Sequence, residues 1–419
     1  MEPRENRLKD EARRGDEEDP LSSFRERFHH PPGTIYMNGN SLGLMSREAE
    51  QSLEEMAQQW KELAIRGWTG APEPWLSVGE RLGDKMRPLV GAEPREVVVT
   101  GTTTVNIHAL LASFYRPRGR RVKILATELD FPSDIYALEG QLRLLHGPGG
   151  ERHLIKAPSR DGWTVREEDI IDLMTGEVAL VFLPSVHYVS GQLMDMERLA
   201  GEARSREITV GFDLSHSVGI LPHRLSEWGV DFALWCGYKW LNGGPGAAAG
   251  LYVNWRHRGL RPLLSGWWGS EKEKQFEMRH EFEPAPGAGA FQISTPAMLS
   301  MAPVEGALRV ITEAGIEKIR EKSLALTGYM MKLSDELLQP RGFTVVTPRQ
   351  RDQRGGHVAL RHARAREITA EMGRRGLVAD FRPPEVIRVA PSPLYSSFGD
   401  VYRSAVIMAS IAEQMEHQG

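Results

Sequence analysis

The chain has 419 residues, 41% hydrophobic and 26% charged, which suits more than one packed core and contains no apolar run near the ~20 residues of a membrane-spanning helix. Its 52 Lys and Arg against 56 Asp and Glu give a formal charge of −4 and no basic stripe, which argues against nucleic acid and membrane partners. A single cysteine, Cys236, excludes an intrachain disulfide and a cysteine-rich metal site, and the start of the chain lacks a signal-like apolar stretch, so a reducing cytoplasm is expected.

Residues 1–20 carry dense mixed charge with almost no large apolar side chain, and the expectation is a disordered arm. Apolar periodicity predicts a helix from Arg47 to about Arg66, and a second helical stretch, after the break at Pro72 and Pro74, ending near Pro88. The runs Val97–Thr100, Val122–Ala126, Val178–Pro184 and Ile208–Asp213 are short, β-branched and nearly all apolar, as buried parallel strands are. Helical patterns at Thr104–Tyr115, Pro132–Leu145, Asp169–Met174 and Met196–Arg206 separate them, which predicts a doubly wound α/β domain continued by FALWC and AAAGLYV. PAPGAGA (Pro284–Ala290) reads as a surface connection. Beyond about Ser300 the pattern is a long helical region, short strands at Phe343–Val346 and His357–Leu360, a helix and the strand Val386–Ala390, a smaller α+β domain.

Three features carry chemistry. Asp213, in DLSH directly after the strand ITVGF, sits at a strand's carboxyl end, where open α/β sheets bind ligands. Lys239, in GYKW, follows one strand-turn-strand unit later. An amine there can condense with an aldehyde cofactor while the carboxylate keeps a pyridine nitrogen protonated. Each residue alone reads more readily as a helix cap (Asp213) or a solvated surface side chain (Lys239), and only the two together point to the cofactor. The third feature is VVVTGTTT before the helix VNIHALLASF, where free backbone N–H groups suit a phosphate, although hydroxyl caps are common at any helix start. The tract GGPGAAAG behind Lys239 matches neither the dinucleotide fingerprint nor a Walker A loop.

From about Phe24 to its end the chain resembles the kynureninase family, within the fold type I, class V aminotransferase-like group of pyridoxal-phosphate enzymes. The words that carry the likeness are NGNSLGL (Asn38–Leu44), FPSD (Phe131–Asp134), VGFDLSHSVG (Val210–Gly219), WGVDFALWCGYKWLNGG (Trp228–Gly244) and IRVAPSPLYSSF (Ile387–Phe398).

The resemblance implies an α/β fold: an N-terminal segment (21–45), a large cofactor domain with a mostly parallel central sheet (46–300) and a smaller α+β C-terminal domain (301–419). It implies hydrolysis of L-kynurenine to anthranilate and L-alanine in tryptophan degradation, with 3-hydroxykynurenine as a related substrate and pyridoxal 5'-phosphate as cofactor.

By the same resemblance Lys239 holds the cofactor covalently, Asp213 pairs with its ring nitrogen, His216 lies near its phenolic oxygen and Phe131 stacks on the ring. Thr103, Thr104 and Tyr238 contact the phosphate, and Ser133 and Asp134 lie alongside; Tyr238 is also the candidate proton-transfer partner. Trp267 and Thr295 reach the phosphate region from a neighbouring subunit, which implies a homodimer. Arg388 grips the substrate α-carboxylate, a task for a two-pronged guanidinium, and Asn40, Ser41 and Trp68 fall on the substrate side.

Two departures stand out. Pro184 replaces a serine of the animal pattern, with Ser185 as a possible substitute, while Trp68 and Thr295 follow the bacterial pattern and suggest unsubstituted kynurenine. A cysteine desulfurase or selenocysteine lyase would need a nucleophilic cysteine on a mobile loop, and an aminotransferase would release no anthranilate.

Overall fold

The computed structural model describes residues 2–417. The strands Lys123–Thr127, Val178–Pro184, Thr209–Asp213 and Phe232–Trp235 are almost wholly buried. Apolar side chains on both faces of a strand are stable only under cover on both sides, and this forces a layered α/β arrangement. The seven-stranded sheet runs, from edge to edge, Val97–Val99, Gly250–Val253, Phe232–Trp235, Thr209–Asp213, Val178–Pro184, Lys123–Thr127, Leu154–Ala157. Only Gly250–Val253 runs against its neighbours. Pro184, Asp213 and Leu234 stand side by side in register, so Asp213 ends its strand at the carboxyl edge of the sheet.

The edge strand Leu154–Ala157 was not foreseen. It is short, contains Lys156 and is buried only at Ala157, so it lacks the apolar run that marks the central strands.

A second core lies under a four-stranded antiparallel sheet ordered Asp380–Arg382, Val386–Val389, Val358–Arg361, Thr344–Val345. The helix Ile316–Leu333 joins the two cores: Ile316 and Ile319 pack into the first, Leu326, Met330 and Leu333 into the second. Asp380 lies opposite Arg388 in the register of the small sheet.

Residues 2–17, expected to be disordered, form a helix packed on the second core. Leu8 and Ala12, one turn apart on one face, are buried. The charges expected to fray the segment are used across elements. Lys332 Nζ reaches Glu11 at 2.6 Å. The Asp16 carboxylate accepts from the N–H groups of Phe398 (2.6 Å) and Gly399 (3.0 Å), at the N-terminus of the helix Phe398–Glu416. Asp19 pairs with the buried Lys322 at 2.6 Å.

PAPGAGA is also not a surface connection. Gly287–Phe291 is a buried helical turn, and a Cβ on Gly287 (φ +65°) would stand 2.3 Å from the carbonyl oxygen of Arg95. The small residues permit a close backbone approach there.

No described helix is long and apolar enough to cross a membrane. The clamp on the N-terminal segment gives a first test. Lys322→Ala leaves Asp19 as an uncompensated buried charge and should lower stability by about 3–5 kcal/mol, read as a lower urea midpoint. A wild-type midpoint would show that the pair does not hold the segment.

Candidate active site

Two neighbouring strands deliver the central residues. Beyond Asp213 the chain turns tightly, the Ser217 N–H bonding to the Leu214 carbonyl at 2.9 Å, and Asp213 Oδ1 accepts the Ser215 N–H at 2.7 Å. The turn presents His216 to the next strand's exit, where Lys239 Nζ lies 2.9 Å from His216 Nε2. The NGNSLGL segment packs directly behind, with the Gly43 N–H on the Tyr238 carbonyl at 2.8 Å. A Cβ at Gly43 would fall 2.6 Å from the Lys239 carbonyl oxygen, so glycine is required by the approach of the two chains.

Burial, followed by the charge of Lys239, pushes His216 well below its ordinary value, so the imidazole is neutral. With Nε2 accepting from the ammonium, Nδ1 carries the proton, and it is buried without a partner.

Asp134, in the first turn of the helix Pro132–His146, and Asp213 line one small cavity with Phe131 and His216. Burial and then the charge of Asp213 push Asp134 well above the usual carboxylate range, and its Oδ2 is buried with no hydrogen-bond partner. Nearby Asp130 is raised by burial to about 7, although it accepts from both the N–H (3.1 Å) and the hydroxyl of Thr127. Buried carboxyls gathered at this edge of the sheet suit a ligand that brings a proton on a ring nitrogen.

The helix Thr103–Phe114 supplies the opposite charge. Thr102 at its N-cap makes no side-chain capping bond, and Thr103 is half-buried and Thr104 exposed. Its leading N–H groups suit a phosphate. The buried carboxyls suit the ring nitrogen of pyridoxal 5'-phosphate, the open helix start its phosphate, and the Lys239 amine its aldehyde.

Other foreseen residues fall around this centre. Phe131 is 40% exposed and meets the Tyr188 ring edge-on at 5.1 Å, and Ser133 is half-buried beside it. Burial, then Cys236 and Asp213, raises the Tyr238 phenol to about 12, so it holds its proton. Pro184 forms part of the cavity wall. Ser185 is no substitute for the missing serine: its buried hydroxyl is engaged by the Asp213 carbonyl (3.1 Å) and Ser217 Oγ (2.7 Å).

Arg388, on the strand Val386–Val389, is 1% exposed. Its Nε donates to Asp380 Oδ1 at 2.7 Å, its Nη2 to Asp380 Oδ2 and to Ser41 Oγ (3.0 Å), and its Nη1 to the Tyr188 carbonyl (2.5 Å). Burial opposes ionisation of Asp380, but Arg388 and Arg382 hold it down at about 2. Asn40 is fully buried with both amide atoms unpartnered, which in a folded interior marks a place for a ligand or water.

Asp380, Tyr188 and His357 were missed. A buried arginine in an apolar strand demands a carboxylate, but which one depends on strand register. Burial holds His357 neutral at about 3, and its ring lies 6.1 Å from that of His216.

Trp68, Trp267 and Thr295 do not join this cavity. Trp68 and exposed Thr295 line a separate apolar groove of about 520 Å³ with Met56, Trp60 and Trp75. Trp267, 44% exposed, stands edge-on to Trp268 at 5.7 Å and donates its indole N–H to the Gln275 carbonyl at 3.0 Å.

The family profile described as the kynureninase C-terminal domain matches residues 319–408. A kynureninase from Geobacillus thermodenitrificans is 51% identical, over 97% of this chain and 95% of its own length. One from Bacillus anthracis is 50% identical, covering 96% and 94%. Among solved structures, a cysteine desulfurase from Thermococcus onnurineus superposes with a TM-score of 0.78 at 17% identity, covering 96% of this chain and 98% of that one. A cystine C–S lyase in complex with cysteine persulfide gives 0.77 at 17%, covering 90% and 98%. The distant structures establish the fold alone, while the near relatives, half identical along almost the whole length, establish that the chain belongs to the kynureninase family.

Proposed function

We propose that the chain hydrolyses L-kynurenine, with water, to anthranilate and L-alanine, using pyridoxal 5'-phosphate held at Lys239. One observation carries the reading: the Lys239 amine meets His216 2.9 Å away at the carboxyl edge of the sheet, beside buried carboxyls and an uncapped helix N-terminus. Bound there, the cofactor supplies an electron sink for bonds at the substrate α-carbon.

Asp213 and Asp134 hold the ring nitrogen protonated, Phe131 covers the ring, with Ser133 alongside it, and the N–H groups at Thr103 and Thr104 take the phosphate, with Tyr238 near it. Neutral His216 offers a hydrogen bond to the ring oxygen without adding a charge. Lys239, once displaced by substrate, takes the proton from the substrate Cα. Tyr238, protonated because it is half-buried beside Asp213, holds a proton for delivery to Cβ as the Cβ–Cγ bond breaks. Arg388 and Ser41 face the α-carboxylate, and Asn40 has free amide groups for the same end.

The groove lined by Trp68 and Thr295 and the exposed Trp267 lie apart from the chain's own cavity, which supports a homodimer in which these residues complete a neighbour's site. The single cysteine supports a cytoplasmic setting. A desulfurase reading has little to stand on, because Cys236 is buried and its Sγ faces the Ser215 carbonyl at 3.8 Å.

Lys239→Ala should abolish the visible absorbance of bound cofactor and lower anthranilate release, followed by fluorescence, by about 10³-fold or more. Wild-type release would contradict the assignment. With both substrates competing in one vessel, kcat/KM for L-kynurenine should exceed that for 3-hydroxykynurenine by about tenfold. Equal consumption would remove Trp68 and Thr295 as determinants of preference.

Asp130 gives a pH test in cofactor-free protein. Its folded value of about 7 lies above the ordinary carboxylate value near 4, so its contribution to stability is complete below about 4 and lost as pH rises through about 7. Wild type should therefore lose stability relative to Asp130→Asn between about pH 5 and 7, measured by thermal unfolding. Parallel curves would acquit Asp130.

A further inference from the structure

Arg388 has five N–H donors, and four are already engaged: two on Asp380, one on Ser41 and one on the Tyr188 carbonyl. The edge of the guanidinium that would receive a carboxylate two-pronged is filled by Asp380. Ser41 is committed as well, donating its hydroxyl proton to Asp380 Oδ2 at 2.8 Å. Arg388 and Asp380 together are close to neutral, so this pair alone offers an arriving α-carboxylate one free donor and little net charge.

A second arginine stands on the same carboxylate. Arg382 Nη2 donates to Asp380 Oδ2 at 2.8 Å, while its Nε is buried without any partner. Its guanidinium lies 5.9 Å from the centre of the Tyr188 ring, and Tyr188 lines the cavity that holds Phe131, Asp213 and His216. The Arg382 side chain is 33% exposed, whereas that of Arg388 is 1% exposed. Two arginines on one aspartate leave the cluster one net positive charge, and all but one of the unpaired donors belong to Arg382.

We propose that Arg382 is the second cation of the α-carboxylate subsite, supplying the charge and donors that Asp380 withdraws from Arg388, with Asp380 as the positioning residue that fixes both guanidinium planes. The proposal rests on the kynureninase reading, since it assumes an amino-acid substrate. The cluster also explains why a carboxylate sits in a subsite built to receive one: without Asp380, the buried guanidinium of Arg388 and the half-buried one of Arg382 would face each other uncompensated.

The test compares holoenzyme and Arg382→Gln on two ligands that differ only in the carboxylate, L-kynurenine and its decarboxylated amine, kynuramine. Retained cofactor absorbance and anthranilate release in the variant show that the underlying functional reading stands. The KM for L-kynurenine should then rise about tenfold to hundredfold. The dissociation constant of kynuramine, read from the change in cofactor absorbance, should move by less than about twofold, since it has no carboxylate to lose. Arg382→Lys, which keeps the charge without the planar donors, should fall between, and it replaces the glutamine variant should that one fail to bind cofactor. An unchanged KM overturns the proposal. So does a kynuramine constant that weakens as much as KM, because a general disturbance of the site would affect both ligands alike.

Discussion

A carboxylate at the low-dielectric end of a sheet is costly unless a proton or cation meets it, and the site is organised around that cost. Asp213 is placed by the sheet itself, as the last residue of a strand buried between two others. Asp134 arrives from a different helix and is pushed toward its neutral form by Asp213 as well as by burial. One strand and one helix are thus committed to holding two carboxyls together. A protonated ring nitrogen would relieve them, as a phosphate would use the N–H groups at the start of the helix Thr103–Phe114. Opposite electrostatic needs at the two ends favour one orientation of a ligand that carries an acid at one end and a base at the other.

The same logic recurs on the substrate side with signs exchanged. Arg388 is buried because its strand pairs with that of Asp380, and the antiparallel register sets carboxylate against guanidinium before any ligand enters. Arg388 also reaches across to Ser41 and the Tyr188 carbonyl, so the small sheet, the NGNSLGL segment and the large domain meet at one side chain. A rotation between the cores would break these bonds together.

The central sheet was legible because its strands obey one rule: buried on both faces, they are apolar throughout, and Asp213 stands out at the end of such a run. Lys239, Asp213 and the Thr103–Thr104 helix start stood out only in company, since each residue type has a commoner role, and Asp134 only through the family resemblance. What stayed hidden depended on partners distant in the chain. The helix at residues 2–17 looks fully polar until Asp16 is seen on the N-terminus of the last helix and Asp19 on Lys322. PAPGAGA looks like a flexible linker until Gly287 is seen against the Arg95 carbonyl. Asp380 has no local signature, and only strand register links it to Arg388. Trp68, Trp267 and Thr295 are a different case: Trp68 and Thr295 line a groove of their own, and Trp267 stands exposed, apart from the cavity that holds Asp213 and His216.

Cofactor and fold are coupled through this arrangement. Any ligand that binds only the folded chain stabilises it in proportion to its concentration over its dissociation constant. Here the effect is reinforced, because the groups awaiting the ligand cost stability when nothing meets them: the raised acids, the unpartnered amide of Asn40 and the open helix N-terminus. The features that make the cavity catalytic are the ones that make it expensive to fold alone, so selection for tight cofactor binding and for stability acts on the same side chains. The Arg388, Asp380 and Arg382 cluster is built the other way. Asp380 offsets one of the two arginines before any substrate arrives, and the charge left over is shared with Arg382, the more exposed of the pair.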